Sequence, residues 1–332
     1  MGFVPRVWRE TLLIDQIRQD VLALATAEGR EVGTLGHDAA RQFITQRLTD
    51  LGVQGYLGGS LELRYKRDGV EFTNIVGRLP GKNPDLDPVL LGAHYDTCGP
   101  YPGAGDNAAA VAVLLSLAPR LIEQPPERDV ILAFFDAEEP PHSLGPSMGS
   151  IRFYEDQRQK PIHCAVVMDL VGHDVPIPGL EDLLFITGME SDHGLATVVG
   201  ETEPSSGIRI VPTLNRYVGD LSDHYIFRVN QRPYLLLTCG RWEDYHEPSD
   251  TPDKLNYEKI EAIARYLCAL TAGVSLAELK GPFEGYDSTA TEVYFLGKTV
   301  QPLLDSMGLD LQLKTRPDVD RLVEFMLTNF GL

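Results

Sequence analysis

Cysteine is scarce in this chain, tryptophan scarcer, and positive charge is heavily outnumbered. The four cysteines, Cys98, Cys164, Cys239 and Cys268, form no CxxC pair, and three of them lie in apolar strand-like or helical runs. The absence of a CxxC pair and the apolar settings lead us to expect buried free thiols in a reducing compartment, the cytoplasm. Lys and Arg number 29 against 48 Asp and Glu, a formal net charge of −19. Phosphate would be repelled by such a surface, which argues against a nucleic-acid partner. Long apolar runs are missing too. Val111–Ala118, with one serine inside, falls far short of a bilayer's thickness. The start, Met1 to Arg6, meets Glu10, Asp15 and Asp20 before any apolar segment, so neither a secretory signal nor a membrane partner is expected.

What is present is ample material for a core: 332 residues, 43% of them hydrophobic. Residues 8–29 and 37–51 read as amphipathic helices. In the second, Ala40, Phe43, Ile44, Leu48 and Leu51 recur at helical spacing, with Gly52 suited to the position after the helix. Strands are expected over Val70–Leu79, Val89–His94, Asp129–Asp136, Ile162–Leu170, Leu184–Thr187, Ile208–Val211 and Pro233–Thr238. Helices are expected over Asn107–Ala118, where Pro119 should stop or kink the chain, over Ser150–Gln157 and Ser222–Arg228, and from an Asn256 N-cap through Leu270. This alternation predicts an α/β fold of three layers, a mixed and mainly parallel sheet between helices. Residues 1–280 are taken as one catalytic domain. Residues 281–332, with a helix over Val319–Phe330, are an appendage to which three roles are open: packing on the core, covering the site, or contacting a second copy of the chain.

The chemistry gathers at the carboxyl ends of these strands, where open α/β sheets bind ligands. Val89–Ala93 delivers His94, Val130–Phe135 delivers Asp136, Glu138 and Glu139, Ala165–Met168 delivers Asp169, and Leu235–Thr238 precedes the loop with Tyr245 and His246. Asp106 opens the alanine-rich helix. Two imidazoles (His94, His246) and three carboxylates (Asp106, Glu139, Asp169) suit zinc or a similar first-row cation better than magnesium or calcium. A carboxylate shared by two cations about 3.5–4 Å apart is the usual anchor of a two-metal site, and Asp106 is the candidate. Asp96, two residues past His94, is placed to fix the tautomer of that imidazole. Glu138, beside the ligand Glu139, is placed to take a proton from a water held between the metals.

Each piece alone has a plainer explanation: a surface His–Asp pair, a solvated acidic turn, an N-cap aspartate, an ordinary strand end. Their arrival on one sheet edge as a complete ligand set decides against that. The remaining histidines are read more modestly. His37, His163 and His193 suit a helix surface, a strand end and a loop, while His142 and His173 follow ligand-bearing strands and line the pocket at most. Ser143, Ser147 and Ser222 lack a Gly-x-Ser-x-Gly setting, which counts against a serine nucleophile. Cys98, near Pro100 and Pro102, reads as a structural thiol in a loop.

Residues 30–275 resemble the co-catalytic di-zinc aminopeptidases of metallopeptidase clan MH, the bacterial leucyl aminopeptidase type. The likeness rests on Gly92-Ala93-His94-Tyr95-Asp96-Thr97, Gly103-Ala104-Gly105-Asp106-Asn107, Phe135-Asp136-Ala137-Glu138-Glu139, Ser222-Asp223-His224 and Tyr245-His246-Glu247-Pro248-Ser249-Asp250-Thr251. It implies a zinc-exopeptidase-like fold with one metal on His94, Asp106 and Asp169 and the other on Asp106, Glu139 and His246. The pair would be two zinc ions, or another first-row divalent cation in one position. It further implies Glu138 as general base, Asp96 orienting His94, Tyr245 facing the oxyanion, Ser222-Asp223-His224 supporting the pocket, and a cis peptide between Asp106 and Asn107. The implied substrate is a peptide with a free N-terminus, cleaved after its first residue. The chain departs from the pattern at Ala108-Ala109-Ala110, in the proline-rich loop Pro140–Pro146 and over His173–Asp220.

Rival functions share the scaffold. Glutaminyl cyclases resemble this family but carry tryptophan before the last histidine and serine after the bridging aspartate, where this chain has Tyr245 and Asn107; Met168–Gly172 is somewhat cyclase-like. A carboxypeptidase or other amidohydrolase would need a cationic anchor, for which Arg216, Arg228, Arg232 and Arg241 form no evident cluster. A non-catalytic binding module would be expected to have lost ligands, and none is missing here.

Overall fold

The computed structural model describes residues 10–157, 161–284, 286–306, 308 and 312–330. Residues 1–9, on which the expectations about the N-terminus fall, lie outside them. Two helices come first, α1 (Glu10–Leu24) and α2 (Leu35–Asp50). Thr34 caps α2 by accepting the His37 N–H at 3.2 Å, and Gly52, at φ +73°, turns the chain out of it. Strands β1 (Gln54–Gly55), β2 (Glu62–Arg67), β3 (Val70–Leu79) and β4 (Val89–His94) follow, then α3 (Ala109–Glu123), β5 (Val130–Phe135), α4 (Gly149–Gln157) and β6 (Cys164–Met168). Next come β7 (Leu183–Thr187), α5 (His193–Glu201), β8 (Arg209–Pro212), the short helices α6 (Asn215–Val218) and α7 (Tyr225–Val229), and β9 (Tyr234–Thr238). Helix α8 (Tyr257–Leu276) starts at Asn256, whose side chain accepts the Lys259 N–H at 3.0 Å. The chain ends in α9 (Thr289–Thr299), α10 (Gln301–Ser306) and α11 (Arg316–Phe330).

The nine strands form one mixed sheet in the order β1-β3-β5-β4-β6-β9-β7-β8, with β2 beside β3. The centre, β5-β4-β6-β9, is parallel, while β3 on β5 and β7 on β9 run antiparallel. Alternate residues of the central strands feed two cores. Val89, Leu91, Val130, Leu132 and Val166 face α1, α2, α3 and α8, whereas Leu90, Ile131, Ala133 and Ala165 face α4 and α7. This is the three-layer α/β architecture expected from the alternation of elements. The parallel centre puts the ends of β4, β5, β6 and β9 on one edge, because Val89 pairs with both Val130 and Cys164.

Several expectations need correction. The first helix stops at Leu24 rather than 29. The alanine-rich helix starts at Ala109, since Asp106 and Asn107 have non-helical dihedrals, and it runs through Pro119 to Glu123. Burial of Leu117 and Leu121 on either side of Pro119 offsets the hydrogen bond the proline cannot make. The segment Ala104–Glu123 has the length and apolarity to cross a membrane, but 83% of that window is buried inside the protein. β2 went unread because its charged, edge-strand sequence carries no apolar alternation. Phe295, Leu296, Val300, Leu304, Val319 and Leu322 of the C-terminal helices belong to the same buried cluster as α3 and α8.

Candidate metal centre

Each side chain that sequence reading singled out for metal duty comes to the edge where the parallel strands end. His94 closes β4 and Asp169 follows β6, its N–H bonded to Leu237 O of β9 at 3.1 Å. Glu138 and Glu139 sit on the turn after β5, and His246 on the loop after β9. Asp106 lies in the wide turn before α3, and the peptide bond to Asn107 is cis, as the family resemblance implied.

The distances among these groups resolve into two poles. His94 Nε2 lies 3.2 Å from Asp106 Oδ1 and 3.3 Å from Asp169 Oδ1. His246 Nε2 lies 3.2 Å from Asp106 Oδ2 and 3.0 Å from Glu139 Oε2, without the alignment of a hydrogen bond. The two oxygens of Asp106 thus face different imidazoles. Ligands at the usual zinc distance of about 2.0 Å in a tetrahedron stand roughly 3.3 Å apart, so both poles match a ligand shell around a cation. Glu138 contributes an oxygen to a third cluster with His94 and Glu139, and its Oε1 is buried with no hydrogen-bonding partner among the described residues.

Electrostatics agree with a cation's place. Burial pushes Glu139 up to about 8, with Asp106 adding to the effect. Burial likewise raises Glu138 well above the carboxylate range, reinforced by Asp169, Asp223 and Glu139 against the pull of His94. For Asp106 burial acts upward as well, but the imidazoles of His246 and His94 hold it well below its ordinary value. His246, though burial disfavours its cation, is held up to about 10 by Asp106 and Glu139. Glu138, Glu139 and His246 are thus all shifted toward holding protons where lone pairs converge, and a divalent cation binds by displacing such protons. The residues fit two zinc ions.

The frame around the poles is built from groups of known geometry. Asp96 Oδ1 stands 3.4 Å from His94 Nδ1, and its two oxygens accept the N–H groups of Glu138 and Glu139 at 3.1 and 3.0 Å. One carboxylate therefore ties β4 to the acidic turn. Ala137, Leu170 and His246 adopt φ of +58°, +53° and +60°. A non-glycine residue pays roughly 1–2 kcal/mol for this left-handed backbone, and all three adjoin or belong to the site. Tyr245 stacks on His246 with ring centroids 3.8 Å apart, under the Arg241 guanidinium.

Some residues have places that sequence reading did not assign. His37 is buried rather than on a helix surface; it bonds Asp136 Oδ1 at 2.8 Å and stacks on Tyr95. Asp136 thereby anchors the acidic turn, accepting also the Thr73 N–H at 2.6 Å. Arg30, fully buried, donates to the carbonyls of Leu24, Tyr95, Pro102 and Gly103 at 2.6–3.1 Å and so clamps the loop between His94 and Asp106. Asp250 accepts the Gly105 and Asp106 N–H groups; only its place in the last motif hinted at a role. His142 bonds Ser147 Oγ at 3.1 Å, and His173 stacks on Trp242 beneath the Gly105 turn. His163 bonds Val274 O. Ser222 lines an apolar cavity beside the site, and the neighbouring Asp223 is buried with no hydrogen-bonding partner for either oxygen among the described residues, raised by burial to about 7. Cys98, half-buried, approaches Glu139 and His246 closely enough to form a candidate cluster with them, which a purely structural thiol would not require. The four cysteines are unpaired. Arg216 and Arg228 are engaged by Asp320 and Asp220, so neither is free to anchor a substrate carboxylate.

The profile of peptidase family M28 matches residues 74–271, which carry every one of the ligands. The chain belongs to peptidase family M28. Over 205 residues it is 29% identical to the uncharacterized protein YfbL of Escherichia coli K12, covering 53% of this chain and 63% of that one. Over 164 residues it is 29% identical to the glutaminyl-peptide cyclotransferase of Drosophila melanogaster, covering 44% of this chain and 46% of that one. A zinc-dependent exopeptidase from Parabacteroides distasonis shares the fold, with a TM-score of 0.61 at 17% identity over 78% of this chain and 97% of that one. The chain spans less than two thirds of the length of the curated relatives it matches. Its α/β fold is shared with zinc exopeptidases and glutaminyl cyclases.

Proposed function

We propose that this chain is a two-zinc aminopeptidase that hydrolyses the first residue from peptides with a free N-terminus. The observation that carries the reading is Asp106, whose two oxygens each stand 3.2 Å from a different histidine. His94, Asp106 and Asp169 would hold one zinc, and Asp106, Glu139 and His246 the other. When bound, the pair supplies Lewis acidity for the scissile carbonyl and makes water nucleophilic near neutral pH. The chain's own groups do the rest. Glu138, buried and with an unpartnered oxygen, takes the proton of the attacking water and passes it to the leaving amine. Asp96 holds His94 and the acidic turn in register. The Tyr245 hydroxyl, kept protonated by burial, donates toward the oxyanion. The amine of the substrate is placed near Glu138 and Asp169, whose carboxyl oxygens can accept its hydrogen bonds.

A glutaminyl cyclase is the second reading, favoured by the fly cyclotransferase among the relatives. Tyr245 and Asn107 stand against it. A panel of aminoacyl-p-nitroanilides, glutaminyl peptides and N-acetylated controls separates the two. Release of p-nitroaniline from free-amine substrates alone is expected. Ammonia release from glutaminyl peptides without hydrolysis would replace the aminopeptidase by a cyclase, and cleavage of N-blocked substrates would remove both.

A further inference from the structure

Cys98 is a side chain of the metal centre to which the two poles give no task. It stands four residues past His94, half-buried, in the loop that leads from β4 to Asp106. Its neighbours on both sides are pinned. The Arg30 N–H donates to Thr97 Oγ1 at 2.7 Å, and the Thr97 N–H to Arg30 O at 3.3 Å. The Thr97 hydroxyl then donates to Gly99 O at 2.9 Å. Gly99, at φ +81°, turns the chain in a way that a residue with a side chain would resist.

So held, the thiol faces one pole and not the other. Cys98 Sγ, a carboxylate oxygen of Glu139 and a ring nitrogen of His246 lie within 4.8 Å of one another. The same three residues, with Asp106, line a recess of ≈ 10 Å³, about the room of a single water or ion. His94 and Asp169 have no part in that lining. Two other groups mark the recess as the place of a ligand. Glu139 is only 4% exposed, yet its Oε1 has no hydrogen-bonding partner among the described residues. An acceptor buried in this way costs about 1–3 kcal/mol unless something binds it. His246 Nε2 is likewise buried without a hydrogen bond among the described residues. The thiol itself is free of any disulfide. Zinc lies about 2.3 Å from a thiolate and about 2.0 Å from an imidazole, which sets such donors roughly 3.5 Å apart in a tetrahedron. The sulfur therefore has at most about 1.3 Å to close, within the reach of a side-chain rotation.

We propose that Cys98 is a thiolate ligand of the second pole, so that Asp106, Glu139, His246 and Cys98 together surround one zinc. The S–H proton passes to solvent as the sulfur–zinc bond forms. Four protein donors make the closed tetrahedral shell of a structural site, whereas His94, Asp106 and Asp169 leave the first pole an open position for water or substrate. The two sites are thereby unequal. The second fills first and favours thiophilic cations, and the first carries the exchangeable position. This assignment rests on the ligand roles proposed for Asp106, Glu139 and His246, and is indifferent to whether the substrate is cleaved or cyclised.

Cobalt(II) added to the metal-free full chain reads the sulfur directly. A thiolate-to-cobalt charge-transfer band in the near ultraviolet is expected, complete at one cobalt per chain, with the second cobalt adding visible bands only. Cys98→Ser should abolish the ultraviolet band while two cobalt ions still bind. It should also lower the tighter zinc affinity by at least about 100-fold, more than groups that only orient ligands usually cost. His246→Ala should lose the band as well, and His94→Ala, Cys239→Ser and Cys268→Ser should keep it. X-ray absorption at the zinc edge of the wild type, expected to show sulfur at about 2.3 Å, needs no variant to fold. Two cobalt ions bound without the band, a band that survives Cys98→Ser, or one lost in His94→Ala and kept in His246→Ala would each overturn the assignment and leave the two-zinc reading standing. A chain that binds no cobalt removes both.

Discussion

Asp250 accepts the backbone N–H of Asp106 at 3.0 Å, and that of Gly105 at 2.7 Å through its other oxygen. The acid that closes the motif begun by Tyr245 and His246 therefore holds in place the residue whose side chain spans the two histidine poles. Two loops 144 residues apart are tied together, and the Asp106 backbone is held at the edge between the two imidazoles.

Asp250→Ala removes both acceptors and leaves two buried N–H groups unpaired, at a cost of about 1–3 kcal/mol each. Groups that orient ligands typically control metal affinity by about 10–100-fold. Zinc affinity is expected to fall within that range in competition with a chromophoric chelator, with kcat falling alongside. Unaltered affinity would mean that the turn at Gly105 holds itself.

The two-pole geometry makes a stoichiometric prediction. His94→Ala and His246→Ala should each retain one zinc per chain after gel filtration, and Asp106→Ala less than either, as read by plasma mass spectrometry. Two zinc ions retained in His246→Ala would remove that imidazole from the ligand set.

Glu138→Gln keeps the shape of the side chain and takes away its basicity. Turnover of a leucyl arylamide is expected to drop by about 10²–10⁴-fold, the usual contribution of a general base, with zinc content as in the wild type. Near-normal kcat in this variant would assign the proton transfer elsewhere.

A pH prediction follows from His224. Its Nε2 meets Asn215 Oδ1 at 3.0 Å and Gly219 O at 3.2 Å, and burial lowers the imidazole from 6.5 to about 4. The unfolded chain therefore binds more protons at this site between those values. The stabilising contribution is complete above pH 6.5 and is lost as pH falls toward 4, by up to about 3 kcal/mol. Urea denaturation should show the stability gap between wild type and His224→Gln narrowing over that window. A gap constant from pH 7 to pH 4 would contradict the neutral, buried imidazole.

Much of this arrangement was legible without coordinates. Runs such as Val89–Ala93 and Val130–Phe135 are apolar throughout, which marks strands buried on both faces, and parallel order brings the residues after them to one edge. Hence His94, Glu138, Glu139 and Asp169 could be read as neighbours. Pro119 misled because a local rule about helices ignores the tertiary burial on both of its flanks. His37 was misread for a related reason: helical periodicity places it near the edge of the apolar face and cannot show that Asp136 and Tyr95 are waiting there.

The sequence by itself determined the alternation of the main strands and helices, the three layers and which donor residues stand near one another, because each depends on residue type and short-range period. Only the tertiary structure decided that Asp106 divides its oxygens between His94 and His246, that Arg30 and Asp250 clamp the loop beneath it, and that Cys98 lines the recess of the second pole. Those facts depend on which distant segments pack together, and no local pattern in a chain records the partner that a side chain will meet.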